Sequence, residues 1–153
     1  MGQFYADVLK CARAQGQGTT MKKKIVLSLE DEPEIAQLIR VVLDHPQLDL
    51  VQVVDGNEVL DTMRAVQPDL VILDVMVPGM DGWAIHQAIR EDDLFKDMPV
   101  IMLTVLQREY THRREVTKSP LGEFISKPFD AGDLRARVEK MLKTPLWSAR
   151  QPT

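Results

Sequence analysis

The chain has 153 residues, a formal net charge of −4 and 27% charged residues. That length holds one domain with a real core and little more, the acidic balance argues against a general nucleic-acid-binding surface, and no apolar run approaches membrane-spanning length. The single cysteine, Cys11, excludes an internal disulfide and suits a reducing compartment, so a cytoplasmic location is expected.

Residues 1–21 read as an N-terminal extension. Phe4, Tyr5, Val8, Leu9 and Ala12 share one face of a short helix, and Gly16-Gln17-Gly18-Thr19-Thr20 reads as a flexible joint. A docked helix and a disordered tail both fit, and Met21 followed by Lys22-Lys23-Lys24 resembles a chain start. A regular pattern begins at Ile25. Ile25-Val26-Leu27 and Leu29 predict a buried strand that ends at Glu30-Asp31-Glu32-Pro33, with Pro33 suited to the first turn of a helix. Ile35, Leu38, Ile39 and Val42 recur at helical spacing until His45-Pro46. Leu48 to Val54 predicts a second strand, closed by the turn Asp55-Gly56-Asn57. Val59, Leu60, Met63 and Val66 mark a second helix, ended by Pro68.

Leu70-Val71-Ile72-Leu73 is an unbroken apolar run, the mark of a strand buried on both faces, and it ends on a carboxylate, Asp74. Pro78-Gly79 breaks the chain, and Asp81-Gly82 turns it into a third helix carrying Ile85, Ala88 and Ile89. Val100-Ile101-Met102-Leu103 is a fourth strand ending on Thr104. Residues 107–118 are helix-length but weakly patterned and basic. Phe124-Ile125 sits in a fifth strand leading to Ser126-Lys127-Pro128, and Asp130 suits the N-cap of a last helix with Leu134, Val138, Met141 and Leu142 buried. Strands alternating with helices over short links imply an α/β fold with a parallel, doubly wound sheet. Ligands in such sheets bind outside the carboxyl ends of the strands. Here those ends carry Glu30 and Asp31, Asp74, Thr104 and Lys127.

Clustered carboxylates repel, and a bound cation relieves them. An all-oxygen donor set without His or Cys points to Mg²⁺. A hydroxyl (Thr104) and an ammonium (Lys127) facing such a set suit a phosphoryl group, and Asp74, central in the rim, is the natural nucleophile for an aspartyl phosphate.

The residues Glu30-Asp31-Glu32-Pro33, Leu70 to Asp74 with Pro78 to Gly82, Pro99 to Thr104, and Ser126-Lys127-Pro128-Phe129 together resemble the receiver domains of two-component response regulators, over about residues 22–143. The resemblance implies a flavodoxin-like five-stranded sheet in the order 2-1-3-4-5. It implies that Asp74 accepts phosphate from a sensor histidine kinase or a phosphotransfer protein. Glu30, Asp31, Asp74 and the backbone carbonyl of Met76 then hold Mg²⁺. Thr104 and Phe124 act as the switch pair, Lys127 binds the phosphoryl group, and the Lys127-Pro128 bond is cis. Self-phosphotransfer and slow autodephosphorylation are the only catalysis implied. Glu30 stands where the family more often has Asp, Val105 where a small residue is common, and the basic 107–118 segment departs from the usual apolar spacing. The resemblance also implies that the side chains two positions after Asp74 and two after Thr104 help to place the hydrolytic water; here these are apolar Met76 and Leu106, neither of which orients a water, so a long-lived phosphoprotein is expected.

Three other readings compete with this one. A pseudo-receiver, binding proteins without phosphorylation, requires a missing acceptor, lysine or metal acid. A dehalogenase-like phosphohydrolase requires an acid where Met76 stands. A dinucleotide enzyme requires a Gly-rich turn after the first strand, opposite in chemistry to Glu30-Asp31-Glu32-Pro33. With ten residues after Lys143, residues 144–153 read as a tail, and the expectation is a stand-alone receiver with no DNA-binding domain, no membrane attachment and an unnamed downstream protein. A homodimer is compatible with it. Trp147 is expected to pack back on the last helix or to anchor a partner.

Overall fold

The computed structural model describes residues 22–77, 79–104 and 120–148. The expectations for the N-terminal extension, the 107–118 segment, Val105, Leu106 and the Pro78 break lie outside the described residues. Five strands, β1 (Lys24–Leu29), β2 (Leu48–Val53), β3 (Leu70–Asp74), β4 (Val100–Thr104) and β5 (Gly122–Ser126), form one parallel sheet in the order β2-β1-β3-β4-β5. The described helices are α1 (Pro33–Val42), α2 (Val59–Val66), α3 (Gly82–Glu91) and α4 (Ala131–Leu142), with a 3₁₀ turn at Gly56–Glu58. The flavodoxin-like architecture is as the resemblance implied.

Period-two alternation sorts the strand residues between two cores. Leu27, Leu29, Val71, Leu73 and Met102 face α2 and α3, where Val59, Met63, Ile85 and Ile89 are buried with Phe95 and Phe124. Val26, Leu70, Ile72, Ile101 and Leu103 face α1 and α4, packing on Ile39, Val42, Leu134 and Val138. All five residues of β3 are buried, as are all five of β4, the expected state of central parallel strands covered on both sides.

Local chemistry sets the helix starts. Pro33 opens α1, where a missing N–H costs nothing. Asp81 accepts a hydrogen bond from the Ala84 N–H at 2.9 Å and caps α3, and Asp130 accepts from the Asp133 N–H at 3.0 Å and caps α4. β2 ends at Val53, one residue short of the expectation: Val54 is exposed, and Asp55 begins the turn by accepting from the Asn57 N–H at 2.8 Å. After α4 the chain doubles back. Leu146 inserts into the α1/α4 core, and Glu139 accepts hydrogen bonds from the Leu146 and Ser148 N–H groups. Trp147 meets the His45 ring edge-on at 5.5 Å and lies under the Arg135 guanidinium, also at 5.5 Å. It thus packs against the last helix and, as the sequence did not foretell, the turn after α1.

Candidate functional site: an acidic rim bridged by a lysine

Strand register builds the site. Leu29 of β1 pairs with Leu73 of β3, so Glu30 and Asp74 leave neighbouring strands side by side. Asp74 pairs with Leu103 of β4, and Thr104 pairs with Ser126 of β5, which puts Thr104 and Lys127 one and two residues past that level. The backbone ties the rim together: the Lys127 N–H donates to the Thr104 carbonyl at 2.8 Å, and the Glu30 N–H to the Val53 carbonyl at 3.0 Å. The Lys127-Pro128 peptide bond is cis.

The Lys127 ammonium donates to Glu30 Oε2 at 2.7 Å and to Asp74 Oδ2 at 2.9 Å, and stands 3.9 Å from Glu32 Oε1. Three of these side chains are nearly dry, with exposures of 6% for Lys127, 1% for Glu30 and 5% for Asp74. The remaining carboxylate oxygens are also engaged: Asp74 Oδ1 accepts from the Met76 N–H at 3.0 Å, and Glu30 Oε1 from the Glu32 N–H at 3.2 Å. Asp31 completes the cluster, with ligand atoms of Glu30, Asp31 and Asp74 all within 4.8 Å of one another.

Electrostatics follow from burial. Desolvation raises the Glu30 carboxyl, the Lys127 hydrogen bond pulls it back, and neighbouring Asp74 raises it again, leaving it at about 7. Burial works against the Lys127 ammonium, but its bonds to Glu30 and Asp74 prevail and hold its pKa above the ordinary lysine value. Two buried carboxylates therefore share one ammonium, with the Asp31 carboxylate beside them. A divalent cation that prefers oxygen ligands suits that excess, and Mg²⁺ retains waters that fit the half-exposed side of Asp31.

Of the predicted residues, Glu30, Asp31, Asp74 and Lys127 come together directly. Thr104 is 2% exposed at the end of β4, beside the group. Met76 follows Asp74 with its N–H committed to that carboxylate and its side chain exposed. Phe124 is on β5, buried in the α2/α3 core and stacked on Trp83, with ring centroids 6.3 Å apart and planes 17° from parallel. Sequence reasoning missed Trp83 and the nearness of Glu32 to Lys127. Trp83 carried a local signal, an aromatic in the first turn of a helix that starts beside the acceptor strand, but its partner lies 41 residues on.

The model of the response regulator receiver domain matches residues 26–139. The chain belongs to that family. Among curated receiver relatives, the "DNA-binding dual master transcriptional regulator RpaA" of Synechocystis sp. is 34% identical over 118 residues, 77% of this chain and 48% of RpaA. The "alkaline phosphatase synthesis transcriptional regulatory protein PhoP" of Bacillus subtilis is 33% identical over 125 residues, 80% of this chain and 50% of PhoP. The chain thus spans about half the length of these relatives. Among solved structures, a putative response regulator from Chloroflexus aurantiacus superposes with a TM-score of 0.71 at 27% identity, covering 80% of this chain and 99% of that one. The receiver domain of the Francisella response regulator 1452 superposes with 0.69 at 28%, covering 79% and 98%.

These relatives overturn one expectation, that this receiver goes with no DNA-binding domain. That reading counted the residues after Lys143, a measure of the segment and not of the output a receiver serves. RpaA and the "DNA-binding response regulator MtrA" of Mycolicibacterium smegmatis, 32% identical over 127 residues (81% of this chain, 52% of MtrA), are DNA-binding by name and about twice as long as the matched stretch. Among the described residues no helix is long and apolar enough to cross a membrane.

Proposed function

We propose that this receiver takes a phosphoryl group on Asp74 from the phosphohistidine of a sensor histidine kinase or phosphotransfer protein, and relays that state to an output on transcription. The observation that carries the reading is the Lys127 ammonium, bound at once to Glu30 and Asp74 in a nearly dry rim at the end of the central strand. In the transfer, an Asp74 carboxylate oxygen bonds to phosphorus as the phosphorus–nitrogen bond of the donor breaks, and the imidazole keeps the electron pair. Glu30, Asp31, Asp74 and the Met76 carbonyl would hold Mg²⁺, which supplies neutralisation of charge on the phosphoryl oxygens. Lys127 would balance the same charge from the β5 side, and the Thr104 hydroxyl, at the buried end of β4, would donate to one of those oxygens. Glu30 and Asp74 draw Lys127 into position beforehand, so little reorganisation is needed at the moment of transfer.

The switch reading follows from the same site. Thr104 and Phe124 sit on adjacent strands, with Phe124 paired to Met102 two residues before Thr104. Movement of Thr104 toward the phosphoryl group changes the space beside that ring and biases two packings of the β4–β5 face. The transcriptional output is supported by the similarity to RpaA and PhoP, both named as transcriptional regulators. Acetyl phosphate with Mg²⁺ tests the acceptor: intact-mass spectrometry should show one added phosphoryl group on the wild type and none on Asp74→Asn. Equal labelling of both proteins would remove Asp74 from the role.

A further inference from the structure

The Thr104 route leaves one contact of the switch aromatic unused. Trp83 is the second residue of α3 and stacks on Phe124 at 6.3 Å, nearly parallel. The residue before it, Gly82, is pressed against the end of β3. A Cβ there would lie 2.5 Å from the Asp74 carbonyl oxygen and 2.9 Å from Val75 Cα, and the Gly82 N–H donates to the Val75 carbonyl at 3.2 Å. The Asp81 cap holds the same turn in place. An unbroken set of packed contacts therefore runs from the backbone of Asp74 through Gly82 and Trp83 to the ring of Phe124. None of these contacts involves Thr104.

We propose that Trp83 is a positioning residue for Phe124, holding its ring inward and tying it to the acceptor end of β3 by a path independent of the Thr104 hydroxyl. The proposal deepens the phosphoacceptor reading and rests on it for the role of Asp74. Three physical features support it. Offset-stacked aromatics attract beyond the area they bury, enough for roughly a two- to tenfold bias between two ring positions. Phe124 has no hydroxyl that could anchor it at the solvent edge by a hydrogen bond to water. The strand end and the first turn of α3 meet backbone to backbone at Gly82, where a displacement is passed on instead of being absorbed by a side chain.

The test uses the full chain with 4-fluorophenylalanine placed at position 124 and read by fluorine NMR. The variants are Trp83→Leu, Trp83→Phe, Thr104→Ala and the Thr104→Ala/Trp83→Leu pair, each with urea unfolding as a check on folding. Without ligand, Trp83→Leu should shift or split the resonance, with the second position raised roughly two- to tenfold, and Trp83→Phe should restore the wild-type signal. With Mg²⁺ and beryllofluoride, Thr104→Ala should keep part of the wild-type shift and the pair should keep none. A Trp83→Leu protein that is folded and shows both the wild-type resonance and the wild-type response overturns the proposal, as does complete loss of the response in Thr104→Ala alone. Failure of the acceptor reading has a separate signature, absence of acetyl phosphate labelling on wild-type Asp74, and leaves the ligand-free comparison of Trp83→Leu with Trp83→Phe to decide the positioning.

Discussion

At the scale of single residues, Glu30 and Lys127 carry the clearest consequences. The Glu30 carboxyl titrates near 7 in the folded chain, raised from 4.5 by burial first. Folding thus favours its protonated form. That contribution is complete below about 4.5 and is lost as the pH rises through 7. In EDTA, wild type should therefore lose on the order of 1–3 kcal/mol between pH 5 and pH 8 relative to Glu30→Gln, measured by urea unfolding at both values. Parallel pH dependence in the two proteins would show that the carboxyl is not held in this way. Lys127→Met has the opposite character. It strips the ammonium from two buried carboxylates and should cost roughly 3 kcal/mol or more at pH 8, and less at pH 5, where Glu30 takes up a proton. Added Mg²⁺ should recover part of that loss. A variant as stable as wild type at pH 8 would mean that solvent reaches the rim.

At the scale of elements, β3 and α3 meet backbone to backbone beside the acceptor. Gly82→Ala places a Cβ 2.5 Å from the Asp74 carbonyl oxygen, so the first turn of α3 must withdraw. The expected cost is about 1–3 kcal/mol, and beryllofluoride binding should weaken with it because the withdrawn turn begins beside Asp74. Thermal unfolding and a fluorescence titration of the same preparation check both. Normal binding in a destabilised variant would show that α3 moves without disturbing β3. Gly79, with φ of 84°, is a separate case: a side chain there meets Asp55 Oδ1 at 2.3 Å as well as a conformation that costs other residues roughly 1–2 kcal/mol. The turn Asp55-Gly56-Asn57, read in the sequence only as the end of a strand, is in the fold the surface against which the Gly79-Met80 backbone is shaped.

At the scale of the whole molecule, the rim and the segment after α4 lie at opposite ends. The amino end of β1 bonds to Gln47, beside His45, and it is there that Trp147 docks. Leu146→Ala should then lower stability by about 2–4 kcal/mol, the range for emptying a buried leucine site. Mn²⁺ affinity, used as a stand-in for Mg²⁺ and read by isothermal titration below the unfolding temperature, should stay within about twofold because no packed contact near the rim is lost. A large change in metal affinity would mean that the two ends are coupled through the sheet.

Among the described residues, the sequence alone determined the main helices and strands, the parallel sheet and the identity of the rim residues. Each of these is written in short stretches: the unbroken run Leu70 to Leu73, the helical spacing of Ile35, Ile39 and Val42, and polar residues placed where the runs stop. The rule that parallel strands gather their carboxyl ends on one edge then placed Glu30, Asp74, Thr104 and Lys127 together without coordinates. Only the tertiary structure decided which carboxylates share the ammonium, because Lys127 is 97 residues from Glu30 and 53 from Asp74 and the choice depends on register and side-chain reach. It decided the titration of Glu30, which comes from burial by distant elements. It also decided that Trp83 meets Phe124 and that Trp147 meets His45, because a contact between elements depends on the angle and height at which they pack, and no local pattern of residues records either.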